Sequence, residues 1–187
     1  MDASANLTDQ FLIAMPQLAD PNFFHTVTYV CEHNDEGALG IVVNRPLELK
    51  LAEILGHLEI ELADETAGSA PVYYGGPVQQ ERGFVIHGPP GEWEASMAVN
   101  DRIAISTSSD ILAAIAAGRG PDRWLVALGY AGWGAGQLER ELAENAWLSG
   151  PADETILFDL EPERRWEAAA AALGVDLNLL TGDSGHA

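Results

Sequence analysis

Two strand-like runs joined by a turn cluster constrain this chain most. FFHTVTYVCEH is rich in aromatic and β-branched side chains, ALGIVVN is largely aliphatic, and Asn34-Asp35-Glu36-Gly37 lies between them. Such residues suit a pleated, half-buried surface, and a short turn cluster returns the chain antiparallel. The pair therefore predicts a hairpin and commits the N-terminal part of the chain to a sheet with antiparallel neighbours. Asn44-Arg45-Pro46 is expected to close the second strand, because Pro46 restricts Arg45 and cannot donate to a ladder.

Around that hairpin the pattern keeps changing period. Phe11–Met15 reads as a short buried strand closed by Pro16. Leu51, Ile54, Leu55 and Leu58 recur at helical spacing and predict an amphipathic helix over 49–59, followed by a polar loop over 61–71. VYYGGPV contains a sharp Gly75-Gly76-Pro77 turn; GFVIH, ASMAV and RIAIST read as strands. Ser108, Ser109 and Asp110 are N-cap candidates for ILAAIAA, and Gly118 suits its end. RWLVALGY reads as a strand, Gln137–Trp147 as a helix and TILFDL as a further strand. Pro162 suits the first turn of a last helix, whose Trp166, Ala169, Ala170 and Leu173 share a face. About eight strands and four helices, hairpins first and strand–helix alternation later, favour α+β with a mixed sheet over a doubly wound parallel fold. With 187 residues, no repeat and no evident linker, one domain over 1–187 is expected.

Charge narrows the function classes. Lys+Arg total 9 against 29 Asp+Glu, a net charge of −20, and Lys50 is the sole lysine. Nucleic-acid binding needs phosphate-neutralising cations on one surface, and this summed field repels DNA. The balance suits a solvated acidic surface or one that recruits a basic partner. No stretch reaches the ~18 apolar residues of a membrane span. The N-terminal segment lacks a basic region, and Phe11–Met15 is too short for a signal-peptide core, so a cytoplasmic protein is expected. Cys31 is the lone cysteine, which forbids an intrachain disulfide.

The familiar catalytic signatures are absent: no Walker-type loop, no H-E-x-x-H, no G-x-S-x-G and no C-x-x-C. Cys31 and His33 lie two apart on a strand, with His25 further back; satisfied or exposed side chains are a better account of them than zinc. His57 has no ligand pattern beside it, and His87 before Gly-Pro-Pro is a candidate cleft histidine. ISTSSD offers hydroxyls, but local sequence supplies no base for a nucleophile, so capping accounts for the cluster. In GYAGWGAGQLERELAENAWL the glycines fall at 129, 132, 134 and 136, not at a phosphate-loop spacing. Glu139, Glu141 and Glu144 follow and would repel an anion. The expected role is a glycine-permitted turn holding Tyr130 and Trp133. No metal and no cofactor are expected.

In order along the chain, FLIAMPQLADPNFFHTVTYVCEH, GALGIVVNRP, VYYGGPV, GFVIH, LGYAGWGAGQLERELAENAWL, ILFD and a terminal GHA resemble the bacterial AlgH/YqgE proteins, also called UPF0301 or DUF179. The resemblance runs from about Asn6 to Ala187. It implies an α+β fold with a bent mixed sheet, mostly antiparallel, curled into a pseudo-barrel and flanked by helices. It also implies a cytoplasmic protein without an established cofactor or enzymatic activity. The family carries a label of transcriptional regulator tied to alginate production in pseudomonads. Asn44, Arg45, Gly75, Gly76, Tyr130, Trp133, Gln137 and Glu139 match the family motifs without a role attached.

Two readings follow. One is a regulator acting through a protein partner or a small ligand, without direct DNA contact. The other is a small-molecule binder or enzyme whose pocket combines the Asn44-Arg45-Pro46 turn, His87 and the 129–137 segment.

Overall fold

A computed structural model describes residues 6–177. Its strands are β1 (Gln10–Ala14), β2 (Val27–Asn34), β3 (Gly37–Val42), β4 (Pro46–Lys50), β5 (Pro71–Tyr74), β6 (Val78–Gly88), β7 (Ser96–Ala98), β8 (Ala104–Ser106), β9 (Arg123–Gly134) and β10 (Trp147–Pro151). The helices are α1 (Leu51–His57), α2 (Glu65–Gly68), α3 (Ser109–Ala116), α4 (Gln137–Ala143) and α5 (Pro162–Ala171), with a π-helical turn over Thr155–Asp159. The sheet runs β10-β1-β2-β3-β9-β6-β8-β7, and β4 joins it through β5. Among the described residues only β5 on β9 is parallel; the other pairings are antiparallel. The architecture is α+β, with a curled, mostly antiparallel sheet flanked by helices.

The expected hairpin is β2–β3, closed at Asn34–Gly37. It carries a bulge between Val30 and Glu32 that leaves Cys31 unpaired. The extra residue resets the alternation of side chains. Cys31 joins the cluster of Phe11, Tyr29 and Ile86, whereas His33 turns to the opposite face, against Leu7 and Glu139. Cys31 and His33 therefore do not share a face, contrary to the two-residue spacing.

The curl is built at β9. Arg123–Tyr130 pairs with β6, and Ala131–Gly134 pairs with β3. At the register shift between Leu128 and Tyr130, Gly129 takes φ +81° and packs its backbone against the Gly75-Gly76 turn. A Cβ on Gly129 would lie 2.4 Å from Gly76 O, and one on Gly76 would lie 2.2 Å from Tyr130 C. Only glycines allow two main chains to meet this closely at that φ. The 129–134 stretch is thus a bent strand and not a loop, and Tyr130 and Trp133 project from its opposite faces.

Other local expectations change for equally local reasons. Pro46 opens β4, where a first residue needs no ladder N–H. Asp64 Oδ1 accepts the N–H groups of Thr66 and Ala67 and winds part of the polar loop into α2. The helix after Gly136 stops at Ala143, and Asn145 at φ +63° turns the chain into β10, which pairs with β1. Asp153 Oδ1 accepts from Thr155 and Ile156, so TILFDL is a π-helical turn and not a strand. Leu58 and Leu173, assigned to buried helix faces, are exposed at 50% and 36%.

Three buried clusters result. One fills the curl between β1, β2, β6 and α5; one lies under α1 and α3; one lies under α4. In α5 the buried positions are Arg165, Ala169 and Ala170, with Trp166 half-buried. Arg165 donates to Val43 O (2.6 Å) and Leu160 O (2.9 Å), and Trp166 Nε1 donates to Ala14 O (2.9 Å). Those bonds satisfy a buried guanidinium without a carboxylate and fasten α5 across the sheet. Burial lowers the Arg165 pKa, which the Tyr73 ring beneath it partly offsets.

Candidate functional site

The Asn44-Arg45-Pro46 turn acts as a clamp. Asn44 Oδ1 accepts Val27 N–H (2.9 Å) while its Nδ2 donates to His25 O (3.0 Å). Arg45 donates from Nη1 to Pro21 O (2.7 Å) and from Nη2 to Phe24 O (2.6 Å). Tyr74 O–H donates to Asn22 Oδ1 (2.8 Å). Segment 21–27 is thereby held by side chains from the β3–β4 turn and from β5. Among the described residues no carboxylate pairs with Arg45.

The clamp shapes an aromatic surface. His25 sits at φ +56°, sandwiched between Phe24 (centroids 3.8 Å, 16° between planes) and Trp166 (3.9 Å, 14°). Phe24 ends this stack and is 44% exposed. Burial lowers the His25 pKa, and the Arg45 charge lowers it further. Desolvation raises that of Tyr74. Asn44, Arg45, Pro46, Leu47 and Tyr74 line an adjoining open cavity of about 420 Å³.

The glycine-aromatic motif has a different centre. Glu141 Oε1 accepts both Trp133 Nε1–H and Trp147 Nε1–H at 3.0 Å, and its Oε2 accepts Gln137 Nε2–H at 2.9 Å. Gln137 Oε1 in turn accepts Gly134 N–H (2.9 Å). Two indoles, 6.0 Å apart and edge to face, are thus pinned to the first turns of α4. Beside them, His33 Nδ1 accepts Leu7 N–H (3.0 Å), which leaves Nε2–H to donate to Glu139 Oε2 (2.9 Å). Glu139 is held below the usual carboxylate range by its own backbone N–H and by His33. These contacts satisfy polar atoms around a folded junction. Tyr130 and Trp133 both border an open groove with Glu32, Asn34, Glu36 and Leu39.

His87 lies elsewhere again. It is buried on β6, with Nδ1 3.2 Å from Pro89 O and Nε2 2.8 Å from Ser106 Oγ. Burial lowers its pKa, against the opposing effect of the Pro89 bond. Ser106, read from sequence as part of a capping cluster, is its partner across the β6–β8 pairing. Ser108 is the N-cap residue of α3, yet its hydroxyl donates to Asp110 Oδ1 (2.5 Å) and accepts Ala95 N–H (3.0 Å), and it accepts no backbone N–H of the helix.

The expected composite pocket is therefore not one pocket. Asn44, Arg45, Gly75, Gly76 and Tyr130 follow one another along the β4–β5–β9 crossing. Trp133, Gln137 and Glu139 belong to the α4 junction. His87 faces the cluster under α1 and α3, near Trp93. Sequence reading missed Phe24, Glu141 and Ser106. Glu141 carried a signal, since it sits one helical turn beyond Gln137 and between two tryptophans. Ser106 carried none, because its base arrives from another strand. Among the described residues no group of three His, Cys, Asp or Glu side chains could hold a metal ion. His186, in the terminal GHA, lies outside the described residues.

Comparison with known proteins gives a consistent set. The AlgH-like family model matches residues 11–178. A UPF0301 protein of Thioalkalivibrio sulfidiphilus is 61% identical over 187 residues, covering 100% of both chains. One of Nitrosococcus oceani is 56% identical over 179 residues, 96% of each. Among solved structures, the solution structure of AlgH from Pseudomonas aeruginosa superposes with a TM-score of 0.80 at 54% identity, covering 100% of both chains. A crystal structure from Corynebacterium diphtheriae shares the fold alone, with a TM-score of 0.74 at 16% identity over 96% of this chain and 93% of that one.

Proposed function

The chain belongs to the AlgH-like UPF0301 family, and on that premise we propose that it is a cytoplasmic regulatory protein that works by binding a protein partner. The observation that carries this reading is the clamped aromatic surface at Phe24. An exposed ring held by a stack, with its loop tied by Asn44, Arg45 and Tyr74, is ordered before any partner arrives. Ordering in advance lowers the entropic cost of association, and rigid aromatics beside an arginine are typical of the residues that dominate interfaces. The regulation proposed is not through direct DNA contact. Arg102, Arg123 and Arg164 are engaged by carboxylates, Arg165 is buried and Arg45 is tied to backbone carbonyls, so five of the nine Lys and Arg side chains are already engaged or covered.

The test is affinity capture from native lysate with wild-type protein, Phe24→Ala and Arg45→Gln, each with and without nuclease. A specific partner should be retained after nuclease and lost, at least ~10-fold, in Phe24→Ala, with little change in melting temperature. Capture that is equal in all variants, or that disappears with nuclease, contradicts the proposal. A second reading, a small ligand, is favoured by the cavity at Asn44, Arg45, Pro46, Leu47 and Tyr74. It requires a compound that raises the melting temperature of the wild type but not of Arg45→Gln.

A further inference from the structure

The arrangement around His87 has the parts of a nucleophilic site. A carbonyl oxygen can only accept, so Pro89 O fixes the proton of neutral His87 on Nδ1. Nε2 is then a lone-pair acceptor, and Ser106 O–H donates to it across 2.8 Å. Ser96 Oγ lies 3.1 Å from Ser106 Oγ. This is a hydroxyl, a base beside it and a third group that sets the tautomer of the base.

The setting suits a substrate. Ser106 pairs with Val85, so their side chains share a face of the sheet. Ser106 and Val85 both border a cleft of about 330 Å³. Ile54, Leu58, Leu112 and Leu128 supply apolar walls to it, and Glu81 sits among its lining residues. That volume fits a small ligand, and the net charge of −20 disfavours an anionic one. Ser106 is fully covered, whereas Ser96 is exposed on the three-residue edge strand β7.

We propose that Ser106 and His87 form a nucleophile–base pair that accepts an acyl group from a short, uncharged aliphatic ester bound in this cleft. Ser106 Oγ bonds to the ester carbonyl carbon while its proton passes to His87 Nε2. The ester C–O bond then breaks, and the departing alkoxide takes that proton as an alcohol leaves. Water attacks the acyl-serine, giving one proton to Nε2, which returns it to Ser106 Oγ as the carboxylic acid departs. The site is separate from the clamp at Phe24, so neither test bears on the other.

The experiment uses the full chain, a fluorophosphonate probe and p-nitrophenyl butyrate. Peptide mass spectrometry should place the phosphonyl adduct on Ser106. Ester hydrolysis should fall at least ~100-fold in Ser106→Ala and in His87→Gln. Below neutrality the rate should fall with protonation of His87, with a midpoint under 6.5. Because both residues are buried, the wild-type adduct decides the matter if a variant fails to fold. No adduct on Ser106 after prolonged exposure, or hydrolysis unchanged in a folded Ser106→Ala, overturns the proposal.

Discussion

At the scale of single residues, the α4 junction depends on one carboxylate. Trp133 and Trp147 are 6% and 4% exposed, and both indole N–H groups end on the same Glu141 oxygen. Removing that oxygen leaves two largely buried donors unmatched. Glu141→Ala should lower unfolding free energy by ~2–4 kcal/mol in urea denaturation, and Trp133→Ala by ~3–5 kcal/mol. A loss under ~1 kcal/mol for Glu141→Ala would show that water replaces the bonds, and for Trp133→Ala that the indole contributes little packing at the junction. His87 supplies a pH dependence of stability. Its folded pKa is lowered by burial from the ordinary 6.5. Between that folded value and 6.5 the unfolded chain binds a proton that the folded one refuses, so stability rises with pH across the window. The His87 contribution is complete above 6.5 and shrinks as pH falls toward the folded value. The slope of unfolding free energy over that range should be shallower in His87→Gln than in the wild type.

Elements show how much of the fold was readable and where reading failed. The β2–β3 hairpin, α3, α5 and the strand character of GFVIH all follow from periodicity and turn chemistry close in sequence. The misreadings share a cause: a neighbour far along the chain set the outcome. Trp147 looked like the end of a helix and became β10 because β1 offered an edge. Residues 131–134, after the strand read over RWLVALGY, looked like a turn because their glycines break propensity, yet pairing with β3 continues the strand through them. Gly129→Ala tests that account. A Cβ there would meet Gly76 O at 2.4 Å with φ at +81°, so the substitution should cost at least ~2 kcal/mol. Gly136→Ala also sits at positive φ (+74°) but meets nothing within 4 Å. It should cost less, and equal losses in the two variants would remove the crossing from the explanation. The candidate sites were legible in the same proportion. His87 and Arg45 stood out by type and context, but their partners Ser106, Pro21 and Phe24 come from other strands and loops.

Over the whole molecule, charge is the dominant quantity. A net −20 on 187 residues makes the compact state repel itself. Salt shortens the reach of that repulsion from ~30 Å at 0.01 M to ~8 Å at 0.15 M. The melting temperature should therefore rise over that interval, as differential scanning calorimetry can measure, and a fall would mean that the described ion pairs outweigh the repulsion. Among the described residues no helix is long and apolar enough to cross a membrane. The sequence by itself determined the α+β class, the early hairpin, the net charge of −20 and the kinship to the AlgH-like family, because each resides in composition or in short-range order. Tertiary structure alone decided that the glycine-rich motif is the bend of a shared strand. It alone divided the expected pocket into a clamp, a junction and a Ser–His pair. The physical reason is that hydrogen-bond partners and faces across a sheet are set by register. A single bulged residue such as Cys31 shifts that register without leaving a signal in the local sequence.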